Sequence, residues 1–332
     1  MNKDTRIQKI VKTVALPVVL YLIFAVISVI TGNAFLTGNM FVYLMKQSCV
    51  VICIAAAIGF HSASGGFDFA IGAIVYLAAI LGGNFTVRGG YGIGVMAVTI
   101  ICAATVLSFI EGLMYVILRL PPVVNSLVYL MICEAITQIV YKGKGLNVLT
   151  KPQYTWFYQA PQVFVITAVI LIIYWALLKY TKFGFNDRAL ANGQKIAVSF
   201  GVKEIRNVLT RYMIVGLFLG GAALLYIGQN YEVTAAQNME STIIMFQAVL
   251  PNMIAMTLAK YSNRSIGVFM AVVSMKIINV GFVCMKMDSN LATVISGIFV
   301  LGFVAYTMNL PKINSYFRRK QKREELVREF EA

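Results

Sequence analysis

From residue 14 to residue 309 the chain is a succession of apolar stretches joined by short polar connections. The stretches are centred on 14–30, 41–60, 67–83, 93–117, 123–140, 161–178, 208–227, 242–258, 266–283 and 291–309. Each has the roughly 17–25 residues that an α-helix needs to cross a hydrocarbon core of about 30 Å. Only 12% of the residues are charged, against about 25% in a typical soluble domain. Too little polar surface remains to cover a water-facing globule of 332 residues. The expected fold is all-α, a polytopic membrane helical bundle of about ten transmembrane helices. It forms a single domain over 1–332, with 1–13 and the basic tail 311–332 in the cytoplasm and a cytoplasmic loop at 179–211.

Lys3, Arg6, Lys9 and Lys12 precede the first apolar stretch as they would in a secretory signal, but no small-residue cleavage site follows. The stretch is read as an uncleaved span. With the N-terminus inside and ten crossings, 21 of the 28 Lys and Arg fall on the inner side and five on the outer. Basic residues in short loops stay on the cytoplasmic face, so this split supports ten spans. The net charge of +15 then reflects topology together with attraction to anionic inner-leaflet lipid. The expected location is the plasma (inner) membrane of a bacterium, with both termini cytoplasmic.

Several function classes find no residues to carry them. The sequence holds one histidine, no clustered carboxylates, no phosphate-binding G-x-x-x-x-G-K-[ST] loop and no H-E-x-x-H. No catalytic residue is assigned, and any ATP hydrolysis falls to partner chains. Cys49, Cys53, Cys102, Cys133 and Cys284 all lie in apolar stretches. No histidine or carboxylate completes a metal set with them, so they are read as small hydrophobes. The tail RRKQKREELVREF reads as membrane-surface charge rather than as a nucleic-acid site.

The segment HSASGGFDFAIG, residues 61–72, interrupts the apolar run. Non-helical backbone at membrane depth is tolerated only where protein buries it or it lines a cavity. Ser64, Gly65 and Gly66 therefore predict a broken or re-entrant segment that ends before Gly72. Asp68 is either an acceptor for backbone amides at a restarted helix or a polar element of a transport path. Glu111, Glu134 and Lys276 are further ionisable groups within spans, each costly to insert. Glu134 and Lys276 have opposite signs, and a buried pair between them is expected. A passage lined by Ser64, Asn125, Ser126, Gln138 and Asn279 suits a hydroxylated, uncharged solute, although interhelical hydrogen bonding explains the same residues.

Gly65-Gly66-Phe67-Asp68-Phe69-Ala70-Ile71-Gly72-Ala73 resembles the G-G-I-D-L-S-V-G-S signature of permease subunits of ribose-type ABC importers. That group includes simple-sugar, nucleoside and autoinducer-2 permeases and, more distantly, those for branched-chain amino acids. Ala70 and Ala73 stand where the family has serines. Glu111-Gly112 and Leu118-Arg119-Leu120-Pro121-Pro122-Val123-Val124-Asn125-Ser126-Leu127 are similar to N-G and R-[IV]-P-P-F-I-A-T-L, with Glu111 replacing asparagine. Thr181-Lys182-Phe183-Gly184, Ala189-Leu190-Ala191-Asn192-Gly193, Ile196-Ala197 and Gly201-Val202 resemble T-R-F-G, A-x-G-x-N, A-A and G-I. The family's later G-G-T-S-L-x-G-G-like turn is replaced by the run from Leu250 to Arg264.

The resemblance implies a transport subunit that binds no cofactor itself. ATP and magnesium would sit on a tandem-domain ABC ATPase subunit. Gly184, Ala189, Ala191, Asn192, Gly193, Ala197 and Gly201 would form the loop that couples to it. The other implied partners are an extracytoplasmic solute-binding protein and a second permease, either another copy or, given the divergent glycine turn, a paralogue in a heterodimer. The solute would be sugar-like or nucleoside-like. The alternative is a self-contained ion-coupled secondary transporter whose coupling charge is Asp68, Glu134 or Lys276.

Overall fold

The computed structural model describes residues 6–63, 66–259, 261–288, 291–292, 294–303, 305 and 309. Ser64, Gly65, Lys260 and the tail 311–332 lie outside the described residues. The helices are α1 (Arg6–Thr31), α2 (Gly38–Ala63), α3 (Ile71–Gly89), α4 (Ile93–Leu118), α5 (Pro122–Ile139) and α6 (Gln162–Tyr180). They continue with α7 (Lys182–Asn192), α8 (Gln194–Ser199), α9 (Glu204–Asn230), α10 (Thr242–Leu258), α11 (Arg264–Cys284) and α12 (Val294–Phe303). The described strands are the two-residue pieces Leu146–Asn147 and Glu232–Val233, paired antiparallel. The all-α polytopic bundle is thus present.

Eight of the expected spans are helices long and apolar enough to cross a membrane. The other two differ. Residues 242–258 form α10, only 17 residues long, and the described part of 291–309 is the shorter α12. The third span also starts later than expected, at Ile71 rather than 67, because Gly66–Asp68 is not helical.

Burial sorts the helices into an inner and an outer set. In α3 and α9, 78% and 72% of the spanning window is buried, against 28% in α1 and α4 and 17% in α6. The apolar surfaces left bare on the outer set, such as Val29, Ile30, Val98, Val165 and Ile172, suit contact with lipid tails. Between α4 and α9 the approach is closest at small residues, as expected where lipid supplies no hydrophobic drive and packing must. Gly216 and Gly220 lie one turn apart on α9, and a Cβ on either would come within 2.6 Å of the Thr105 Cα and 2.7 Å of the Ile101 Cα respectively. Backbone cannot yield as a side chain can, so overpacking here falls at the upper end of the typical cost of about 1–3 kcal/mol. Gly220→Leu is expected to lower the thermal unfolding midpoint in detergent sharply, and a midpoint equal to that of the unaltered chain would disprove this packing.

Candidate functional site

The interruption at 61–72 joins two elements of the interior. The α2 helix ends at Ala63, and the Gly66 amide donates back to the His61 carbonyl at 3.1 Å. Asp68 then restarts a helix: its Oδ1 accepts from the Ala70 amide at 2.8 Å, one residue before α3. Its other oxygen lies 3.3 Å from His61 Nε2. Asp68 thus accepts a backbone amide just ahead of the restarted helix, as an Asx turn, while Ala70 is the N-cap and α3 has no side-chain cap; the same carboxylate also faces a histidine across the break. Glu111 of α4, fully buried, brings its carboxyl group against that of Asp68. The His61 ring packs edge-on against Tyr212 of α9, centroids 4.9 Å apart, and Tyr212 fills the space left by the missing side chain of Gly112. Residues from α2, α4, α5 and α9 enclose a cavity of about 90 Å³ here, with His61, Gly66, Phe67, Tyr115, Pro122, Arg211 and Tyr212 on its walls.

Asn125 and Ser126, in the first turn of α5, are buried. Ser126 bonds back to the Val123 carbonyl at 3.1 Å, while the Asn125 side-chain amide has no hydrogen-bond partner among the described residues. Gly72 lies in the first turn of α3, where a Cβ would strike the Ser241 carbonyl oxygen. The first turns of α3 and α10 are thereby brought side by side in the interior.

The expected Glu134–Lys276 pair is not formed. Glu134 Oε2 accepts from the Met239 amide at 2.8 Å, and Oε1 accepts from the Ser241 amide at 2.9 Å and its hydroxyl at 2.6 Å. Asn238 and Met239 both have positive φ, and in the turn they make the Met239 and Ser241 amides point at Glu134 before α10 begins. Thr137 and Gln138 hold the same connection at the Ala235 and Ala236 carbonyls. Lys276 lies instead on α11, beside a separate cavity that Asn279 also lines.

The loop 179–211 folds into the two short helices α7 and α8. Thr181 caps α7 by accepting from the Gly184 amide at 3.2 Å. Gly184 is required by the turn out of α6, since a Cβ would lie 2.6 Å from the Leu178 carbonyl oxygen. Asn192 is the last residue of α7, Gly193 alone separates the two helices, and Gly201, at φ +87°, follows the end of the second. Ala189, Ala191 and Asn192 are exposed, whereas Ala197 is buried in the loop itself and cannot present the docking surface that its small size implied. Large apolar groups do project around α8, among them Ile196, Val198 and Phe200, the last 85% exposed, as does Phe185 on α7.

Sequence reasoning missed what ties this loop to the bundle. Asp187 of α7 is fully buried, and its Oδ1 accepts from Arg211 Nε of α9 at 2.9 Å and from Asn207 Nδ2 at 3.5 Å. Arg211 neighbours Tyr212 in sequence, so one turn of α9 touches both the loop and the break at His61. The signal was present as one of two acids, with Glu204, among the basic residues of the loop, at a distance in sequence that no spacing rule connects.

Comparison with known proteins places this arrangement. The profile of the family described as branched-chain amino acid transport system / permease component matches residues 40–304. The chain is 25% identical over 291 residues to the ribose import permease protein of Bacillus subtilis, covering 85% of this chain and 88% of that one. It is 21% identical over 285 residues to the galactose/methyl galactoside import permease protein of Haemophilus influenzae, covering 79% and 84%. A match of 23% identity to the galactofuranose transporter permease protein of Escherichia coli spans about half of each, 52%. These relatives are transport subunits rather than enzymes, and the ion-coupled alternative finds no support among them. The chain belongs to the branched-chain amino acid transport system / permease component family, as a multi-pass membrane permease.

Proposed function

We propose that the chain forms the membrane pathway of a binding-protein-dependent ABC importer for a sugar-like solute. The observation that carries this reading is the connection from an exposed apolar edge, through Asp187 and Arg211, to the break at His61 and Asp68. A force applied at α7–α8 reaches the interior through one buried ion pair rather than through a flexible tether. Sugars are the cargo named in several relatives, among them ribose, galactose and galactofuranose. Nothing in these names favours a nucleoside.

In this reading a tandem-domain ATPase, which binds ATP and magnesium, docks on α8 and moves α7 as it closes. An extracytoplasmic binding protein delivers the solute. The partner permease is a paralogue that carries the usual glycine turn, because here the corresponding run from Leu250 is helix as far as Leu258. Both termini face the cytoplasm of a bacterium, at its inner membrane.

The test is affinity purification of the tagged chain co-expressed with its neighbouring genes, followed by mass spectrometry of what stays bound in mild detergent. An ATPase subunit is expected to co-purify, and Phe200→Asp is expected to remove it while the permease remains folded. A lone chain that moves solute into liposomes without ATP would overturn the reading.

A further inference from the structure

Lys276 stands 12 residues from one end of α11 and eight from the other, about 18 Å and 12 Å at 1.5 Å per residue. Both distances exceed the reach of its own side chain, so its ammonium group cannot extend to either membrane surface as terminal lysines do. A cation at that depth is costly and is kept where it has work to do. No carboxylate among the described residues pairs with it: Glu134 is committed to Met239 and Ser241, Asp187 to Arg211, and Asp68 faces His61.

Lys276 opens instead onto a cavity of about 560 Å³ between α2, α10 and α11, with Ala292 and Ser296 also on its walls and no acidic side chain among the described residues that line it. That volume lies within the roughly 300–1,000 Å³ of small-molecule sites. Asn279 follows Lys276 at i+3, on the same face of α11. Ser296 Oγ, which donates to the Ala292 carbonyl at 2.7 Å, also lies 3.2 Å from Asn279 Oδ1, and the Asn279 amide hydrogens remain as donors. Two donor groups thus stand side by side. Opposite them, Gln247 lines the cavity from α10. The Gln247 side-chain amide can both donate to and accept from a hydroxyl. Phe246 adds an apolar face.

We propose that this cavity binds a sugar acid, with the carboxylate on Lys276 and Asn279, the hydroxyls at Gln247 and the ring against Phe246. A donor-only pair with no acid nearby selects an anion over a neutral sugar, because burying the ammonium against a neutral ligand leaves it unpaired. The proposal narrows the sugar-like solute to its acidic members, and it rests on the importer reading for the solute being a sugar at all.

The test uses the purified full chain in phosphatidylcholine nanodiscs, titrated with sodium D-galacturonate, D-galactose and sodium chloride at matched ionic strength, with the thermal unfolding midpoint as readout. Galacturonate is expected to raise the midpoint saturably, and galactose and chloride are not. Lys276→Met is expected to weaken the galacturonate response at least about tenfold, as loss of a charge-assisted hydrogen bond implies, and Lys276→Arg to retain saturation. Equal responses to galacturonate and galactose, no saturable galacturonate response, or an unchanged response in Lys276→Met would each overturn the proposal. The galacturonate and galactose arms need only the unaltered chain, so they decide the matter even if a variant misfolds. Loss of ATPase co-purification would count against the importer reading and would leave this titration unaffected.

Discussion

Asp187→Ala is expected to be among the most damaging single substitutions in the chain, because it leaves the Arg211 guanidinium buried without its counter-ion. Asp187 is fully buried and Arg211 is 7% exposed, so solvent neither screens the pair nor rescues the survivor. Removing one partner of a buried pair typically costs about 3–5 kcal/mol, whereas replacing both by apolar groups is often neutral or stabilising. Asp187→Leu combined with Arg211→Met is therefore expected to regain much of the thermal stability that Asp187→Ala loses. Transport should separate from stability. The double variant keeps a packed loop but replaces a directional bond with apolar contact, so ATP hydrolysis in the assembled complex is expected to continue with reduced solute uptake. Unfolding midpoints of the single and double variants, set beside uptake per ATP in proteoliposomes, check both parts. A double variant as unstable as Asp187→Ala would show that the pair is not the unit proposed.

The contrast between Asp187 and Gly72 explains why some of this architecture is legible in sequence and some is not. Helix crossings register as long apolar runs because lipid imposes one local rule on every residue of a span. Breaks register because glycine and a turn-forming acid are local signals too, and the non-helical stretch at Gly66–Asp68 falls where they placed it. What lies across the break is set by three-dimensional packing. Nothing local marks that Glu111, from another span, meets Asp68, that Gly72 makes room for the Ser241 carbonyl, or that His61 faces the acid seven residues on. Ala197 misled in the opposite direction. Small size suits a docking surface and suits close internal packing equally well, and the loop uses it for the second. The apolar residues beside it, Val198 and Phe200, are the ones turned outward.

Opposite sign proved an unreliable guide for the pair Glu134 and Lys276, and the reason yields the second large effect. Attraction between two buried charges competes with every donor that either can find. Glu134 sits beside a connection in which Met239, at positive φ, presents its amide and Ser241 presents its amide and hydroxyl at hydrogen-bonding distance. Those three bonds satisfy both carboxylate oxygens, and a lysine on α11 adds nothing that they lack. Glu134→Ala is therefore expected to strand the Met239 and Ser241 amides in the interior, at about 1–3 kcal/mol for each unsatisfied group. The start of α10 should loosen, and the close approach of Ser241 to Gly72 should be lost with it. Lys276→Met removes no bond seen among the described residues and is expected to leave the unfolding midpoint nearly unchanged without ligand. The two substitutions together should then cost the sum of their separate effects, within the roughly 0.3–0.5 kcal/mol typical of independent sites. A double-mutant cycle on thermal unfolding reads this directly. A coupling well above that range, with Lys276→Met restoring stability to Glu134→Ala, would reinstate the ion pair and take away the acceptor role assigned to Glu134.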